Sequence, residues 1–372
     1  MTPSPTASHA EAARLGHIAL ARQAVLVEGG WAPHIEPWIQ RSWQRCLAIG
    51  QRAQDGVHFD AVSAADMRRI SDINQPLIRA AQPTLHKLAR AMADTRYFAI
   101  LTNAQGIVVT VDGPIDPGEP RAMAIARVGV DLSQQAVGTT AIGAALAEQQ
   151  PVWLHRGEHF FEVNRHYSCA GAPVWGPQGA CVGMLDLTGV DVAERPALKH
   201  LVTRSARSIE NALTLAQPHA LLLRLAWPGQ AFGDESDGLV CVDADGFVVG
   251  RNHAASDMLA LSPAVPQPHC ADLFALPWEH LFDAARARRP AGEQPLWSGL
   301  RLQVLASLNG DAAEPLSHSA PPHPPAPGAA LKDIETALIK QAVQAARGNV
   351  MEAARALGIS RATVYRKLGR RA

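Results

Sequence analysis

The chain has 372 residues, 47% hydrophobic and 18% charged. At roughly 100–200 residues per domain that is enough for two or three domains with buried cores, which excludes a wholly disordered protein. Its 34 Lys and Arg balance 34 Asp and Glu, which excludes a uniformly basic nucleic-acid-coating protein but not a locally basic module.

In chain order, the N-terminus lacks the charged start and unbroken apolar core of a signal peptide. HAEAARLGHIALARQAVLVE and IEPWIQRSWQRCLAIG place apolar residues at three- and four-residue steps, so the first 50 residues read as helical. ILTNAQGIVVTVDG (Ile100–Gly113), CAGAPVWGPQGACVGMLDLTG (Cys169–Gly189) and GLVCVDADGFVVGRN (Gly238–Asn252) are each two apolar runs around a polar glycine turn, the pattern of a β-hairpin. Helical patterns cover Pro83–Thr95, Gln134–Gln149 and Ala197–Leu215. Hairpins alternating with helices predict α+β domains with antiparallel sheets. The richest apolar stretch, Ala220–Trp227, is far short of a membrane span of about 20 residues and contains Arg224. The five cysteines are scattered, with no C-x-x-C pair. The expectation is a reduced, soluble, cytoplasmic protein with no membrane partner.

Residues 311–330, DAAEPLSHSAPPHPPAPGAA, hold six prolines and read as an extended spacer. Beyond them, residues 331–372 carry nine Lys and Arg against three Asp and Glu, a net of +6 that the neutral total conceals. Leu331–Ala346 has one apolar stripe. Asn349 and Glu352 form a capping-box pattern that opens a second helix. Gly358 supplies a tight turn, and Ser360 can cap a third helix over Arg361–Arg370. With Val364 and Leu368 turned inward, Ala362, Thr363, Tyr365, Arg366 and Arg370 face outward. This is a helix-turn-helix pattern whose last helix can enter the major groove.

RGNVMEAARALGISRATVYRKLGR resembles the C-terminal helix-turn-helix of the Fis family of DNA-binding proteins, preceded by its dimerising helix. That resemblance implies double-stranded DNA as partner, a homodimer, and DNA contacts from Ser360, Arg361, Thr363, Tyr365, Arg366 and Lys367. Upstream, IQRSWQRCLAIG, VGTTAIGAALAEQQPVW, EHF, CAGAPVWGPQG and MLDLTG resemble the sensory half of acetoin-catabolism-type activators, which work with the enhancer-dependent form of RNA polymerase. The resemblance implies a GAF domain, a six-stranded sheet with helices whose pocket takes a small effector. By that analogy the pocket lies near residues 121–161, with Trp153, His159 and Phe160 as wall residues; no other cofactor is implied. Residues 232–308 resemble a reduced PAS domain. The chain departs from the family at Leu132-Ser133-Gln134, where Trp-Ser-Glu is usual, and at Gly138-Thr139-Thr140-Ala141, where Gly-Thr-Asn-Ala is usual.

The expected organisation is a helical segment at 1–60, a GAF sensor at 61–217, a PAS-like domain at 218–310, a linker at 311–330 and the helix-turn-helix at 331–372. The family places an ATPase between sensor and tail. No G-x-x-x-x-G-K-[ST] and no Gly-Lys dipeptide occur in this sequence, so no phosphate-cradling loop is present. Such a protein would act by occupying DNA, by bending it, by recruitment or by pairing with another regulator, with RNA polymerase or another activator as a further partner.

Three other groups draw a chemical reading and a plain one. His155, His159, His166 and Cys169 cluster in sequence but fit no common zinc spacing, so no metal site is expected and they read as loop and pocket-wall residues. Cys169 and Cys181 could face each other across a hairpin as a redox pair, or be two buried thiols. Asp243 and Asp245 read as turn-formers. No nucleophile–base arrangement stands out, so the reading is a regulator and not an enzyme.

Overall fold

The computed structural model describes residues 5–262, 267–290 and 292–309, all within the unit Met1–Asp311. The linker 311–330 and the helix-turn-helix 331–372, with its six DNA-contact residues, lie outside the described residues.

Two helices open the chain. Helix α1 (Pro5–Arg22) runs into a π-helical turn, Gln23–Val27, and α2 covers Pro37–Ala48. In α2 the apolar stripe Trp38, Ile39, Trp43 and Cys46 is buried, while Arg41 and Arg45, one turn apart, both reach Glu148. Helix α3 spans Ala64–Ala91, started by the Ser63 hydroxyl, which accepts from Asp66 N at 3.1 Å. The sequence pattern began this helix at Pro83. It begins nearly 20 residues earlier and passes through Pro76 and Pro83, held by the buried face Leu77, Ala81, Leu85 and Leu88.

The first sheet contains β1 (Tyr97–Asn103), β2 (Val108–Asp112), β3 (Val152–His155), β4 (Tyr167–Trp175) and β5 (Cys181–Val190), antiparallel in the order β2-β1-β5-β4-β3. Five strands form where the resemblance implied six. The remaining extended residues reach the sheet only through the isolated bridges Ala61–Val130 and Ile107–Asp131, because the chain turns at Gly129 and leaves again after Leu132. Every residue of β1 is buried, which explains its unbroken apolar run: the sheet is covered on both faces. On one face Tyr97, Ala99, Leu101, Leu185 and Leu187 pack against α3 and α7 (Leu198–Leu215). On the other, Phe98, Ile100, Leu154 and Met184 pack against α2, α4 (Pro120–Ile125), α5 (Gln134–Val137) and α6 (Ala141–Glu148).

The segment Gln134–Gln149 reads in sequence as one helix but forms two. The break is Gly138, at φ +69°, where a Cβ would lie 2.7 Å from the Phe161 ring. Thr140 then caps α6, its hydroxyl accepting from Gly143 N at 3.2 Å.

A second antiparallel sheet contains β6 (Leu221–Ala226), β7 (Gly238–Val242), β8 (Val248–Arg251), β9 (Gly292–Pro295) and β10 (Arg301–Leu308) in the order β8-β7-β6-β10-β9. Helices α8 (His253–Met258), α9 (Cys270–Leu273) and α10 (Glu279–Arg286) accompany it. The β7–β8 turn forms as read: the Asp243 carboxylate accepts from Asp245 N and Phe247 N, and Gly246 sits at φ +91°. The two sheet units touch where Trp175 stacks on His253 at 4.7 Å and Arg251 N donates to Pro177 O at 2.8 Å. The architecture is α+β throughout the described residues. None of their helices is long and apolar enough to cross a membrane.

Candidate functional site

The face of the first sheet that carries α4 to α6 holds a small, partly open cavity of about 30 Å³. Its floor comes from three adjacent strands: Ile100 of β1, Asp186 and Thr188 of β5, and Tyr167 and Cys169 of β4. Strand register places Ile100 opposite Asp186 and Cys169 opposite Thr188. Phe59, Ile125, Leu132 and the first turn of α6 close it from above, and His159 and Asn164 close the side. Helix α6 lies close because β4 carries Gly171, where a Cβ would meet Ala141 O at 3.1 Å and the Met184 side chain at 2.0 Å.

The chemistry of this wall is unusual for a core. His159 is fully buried; its Nδ1 lies 2.9 Å from Arg156 O, which makes Nδ1–H the donor and leaves Nε2 as acceptor, 3.5 Å from Cys169 Sγ. Burial pulls the imidazole down to about 4, so it is neutral. Burial also pushes the Cys169 thiol well above its usual range. The Asp186 carboxyl, 1% exposed, is pushed up to about 7, again by burial. One of its oxygens accepts from the Thr188 hydroxyl, and the other, Oδ1, has no hydrogen-bond partner. Asn164 donates to Val137 O at 3.1 Å, and its Oδ1 is also unpartnered. Among the described residues no ion pair reaches Asp186.

Of the three wall residues expected from the resemblance, the structure brings His159 to the cavity. Trp153 is a correction: side chains alternate along a strand, so while Val152 and Leu154 face the cavity layer, Trp153 lies on the opposite face with α3 and α7, its Nε1 3.4 Å from Glu194. Phe160 is buried in the same core as the cavity, edge-to-face on Phe161, but does not form part of the lining. Asp186, Asn164, Tyr167 and Thr188 were not singled out from the sequence. Asp186 and Thr188 stand in MLDLTG, where a charged residue within a buried apolar run was the available signal.

The four clustered His and Cys residues disperse. His155 Nδ1 pairs with Ser168 at 2.8 Å, His166 is exposed on Asp191, and only His159 and Cys169 meet. Cys169 and Cys181 do not face each other: Cys181 pairs with Trp175 at the far end of the β4–β5 ladder.

The wall segment 156–162 is tied to the N-terminal helices. Arg22, itself buried, donates to the carbonyls of Gly157 (3.0 Å), His159 (2.6 Å) and Phe160 (2.9 Å) and lies 5.6 Å over the Trp43 ring. Arg14 holds both oxygens of Glu158, at 2.9 and 3.1 Å, and Trp43 Nε1 donates to Glu158 O at 2.9 Å. A larger open cleft of about 460 Å³ lies on the second sheet between α10 and β9–β10, but its polar residues His280, Asp283 and Arg289 sit at the solvent edge.

Residues 17–211 match the family model described as MimR, N-terminal domain, and residues 330–370 match the model described as Bacterial regulatory protein, Fis family. Among curated relatives, the acetoin catabolism regulatory protein of Cupriavidus necator is 27% identical over 237 residues, covering 59% of this chain and 34% of the relative. The propane 2-monooxygenase operon transcriptional activator MimR of Mycolicibacterium goodii is 29% identical over 197 residues, covering 52% and 32%. A signal-transduction and transcriptional-control protein of Clostridium beijerinckii is 25% identical over 249 residues, covering 67% and 39%. The chain thus spans 32–39% of the length of these relatives.

Proposed function

This chain belongs to the family of the MimR N-terminal domain, and from that premise we propose that it is a sequence-specific DNA-binding transcriptional regulator that senses a small molecule in the cavity of its first sheet. The observation that carries the reading is the pairing, in one chain, of a Fis-family DNA-binding tail with a sensor-like domain whose small cavity is lined by two residues with unpartnered buried acceptors. His159, Asp186 and Asn164 are the effector contacts. Ser360, Arg361, Thr363, Tyr365, Arg366 and Lys367 are the DNA contacts, presented by a homodimer in the cytoplasm. Dimeric readers of this kind need half-sites about 34 Å apart or a multiple, so effector-dependent changes in dimer geometry alter affinity.

The regulator acts without hydrolysing ATP, since no phosphate-cradling motif lies between sensor and tail. The same absence favours a second reading: a sensory co-regulator that pairs with a complete, ATPase-bearing activator. Genome-wide occupancy of the chain beside an Arg361→Ala/Arg366→Ala double variant separates the two. Discrete peaks sharing an inverted repeat and lost in the variant support the autonomous regulator. Peaks that survive the variant and coincide with another activator's sites overturn it in favour of the co-regulator.

A further inference from the structure

The cavity has a recognisable charge and hydrogen-bond polarity. Four donors of the lining are used inside the protein. The His159 Nδ1–H goes to Arg156 O, the Thr188 hydroxyl to Asp186 Oδ2, the Tyr167 hydroxyl to Arg121 O at 3.0 Å, and the Asn164 amide to Val137 O. Two acceptors of the lining residues have no partner, Asp186 Oδ1 and Asn164 Oδ1, each on a side chain 1% exposed. A buried carboxylate normally finds a cation or several donors, because stripping its hydration costs several kcal/mol. Asp186 has one hydroxyl. The same cavity is lined by Phe59 and Tyr167, edge to face with ring centroids 6.4 Å apart, and by the apolar side chains Ile100, Ile125 and Leu132. An acid among aromatic rings is the combination that stabilises an organic cation.

We propose that this cavity is an ammonium site. It takes a small primary alkylammonium ion whose N–H groups donate to Asp186 Oδ1 and Asn164 Oδ1 and whose short carbon tail lies on Ile100, Ile125 and Leu132. Space sets the size: at ~10–15 Å³ for each water-sized group, about 30 Å³ takes the ammonium head and one carbon, and a second carbon reaches the cavity's open side, so the tail is a methyl or ethyl group. The neutral His159 adds no competing charge to the wall. The inference rests on the reading of the first sheet as a small-molecule sensor and names the class of its effector.

The test is calorimetric titration of the full chain at pH 8, where Asp186, raised to about 7, is mostly ionised, with ethylammonium chloride, with ethanol as the neutral isostere and sodium chloride as the ionic control. The expected result is saturable binding of ethylammonium, none of sodium chloride, and at least tenfold weaker binding of ethanol. In Asp186→Asn, which keeps the shape and removes the charge, ethylammonium affinity falls roughly 10- to 100-fold, the loss of one charge-assisted hydrogen bond. The comparison of ethylammonium with ethanol on the parent chain stands even if the variant fails to fold. Ethanol binding as well as or better than ethylammonium overturns the ammonium site and leaves small-molecule sensing intact. Unchanged ethylammonium affinity in Asp186→Asn also overturns it. Binding of neither compound overturns the ammonium site, and occupancy of the cavity by the cell's own effector is then read separately by mass spectrometry of the purified chain for a retained ligand.

Discussion

Replacing Arg22 by Met should unlatch the N-terminal helix from the cavity wall while keeping most of the apolar stem. The guanidinium makes three charge-assisted hydrogen bonds to backbone carbonyls, at 2.6 to 3.0 Å, in a segment where His159 and Phe160 are fully buried. At about 1.5–3 kcal/mol each these bonds sum to roughly 5–9 kcal/mol. Against this, the folded chain no longer carries the desolvation of a buried cation, a cost of several kcal/mol. The net expected loss is about 2–4 kcal/mol, or a fall in melting temperature of roughly 5–15 °C for a unit of this size. Thermal unfolding followed by tryptophan fluorescence reads it, because Trp43 lies against Arg22. Glu162→Gln is the control: that carboxylate is 41% exposed and 3.3 Å away, so its loss should cost less than about 0.5 kcal/mol. An Arg22→Met chain as stable as its parent, or a Glu162→Gln chain equally damaged, would refute the carbonyl clasp.

Burial raises Asp186 to about 7 and Glu210 to about 8. Both groups keep their protons in the folded chain at a pH where the unfolded chain has released them. Their contribution is therefore complete below about pH 4 and is lost as pH rises through 7 to 8. Urea midpoints from pH 5 to 7 should fall less steeply for Asp186→Asn than for the parent, by up to about 1.4 kcal/mol per pH unit; equal slopes would disprove the assignment. Gly171→Ala places a methyl against Ala141 O and should cost about 1–3 kcal/mol by overpacking; an unchanged melting temperature would mean that α6 can yield. Cys181 is half-buried, whereas Cys169 is buried with its thiol pushed well above the usual range. Iodoacetamide mapped by peptide mass spectrometry should therefore label Cys181 before Cys169, and the reverse order would place Cys169 in an open pocket.

Local grammar carried the hairpins. An Asn or Asp that accepts from the backbone two and four residues on, followed by glycine, makes a turn whatever surrounds it, and Asn103 and Asp243 do this in the two sheets. Long-range packing decided what the local pattern missed. Pro76 and Pro83 argue against a continuous helix, yet four buried aliphatic positions against the sheet and α7 outweigh two lost backbone bonds. The break at Gly138 is set by the Phe161 ring, 23 residues on, and no window around Gly138 contains it. The cavity was legible only in part. His159 came from a family analogy, while the placement of Trp153 followed from strand parity, which depends on where β3 begins. Asp186 was hidden because β5 is covered on both faces, so period-two alternation gives no sign of which residues meet the cavity.

Most buried polar groups here join one element to another. Arg22 ties α1 to the wall segment, Glu158 ties that segment to Arg14 and to His155 N, and Glu210 on α7 accepts from Trp175 N on β4. Arg251 binds Ser256 Oγ and Ser262 O, closing the chain around α8. Removing any of them should loosen a specific contact. Asp186 differs: its one visible bond is to Thr188, two residues away on the same strand, so it joins nothing. Its burial lowers stability and returns no connection among the described residues. Folds retain such a group where a second molecule completes it, because sites that destabilise the empty protein are held for what they bind. The consequence is directional: Asp186→Asn should leave the empty chain as stable as the parent or more so at pH 8, while abolishing its response to effector. A variant that lost stability there would show that Asp186 serves the fold after all.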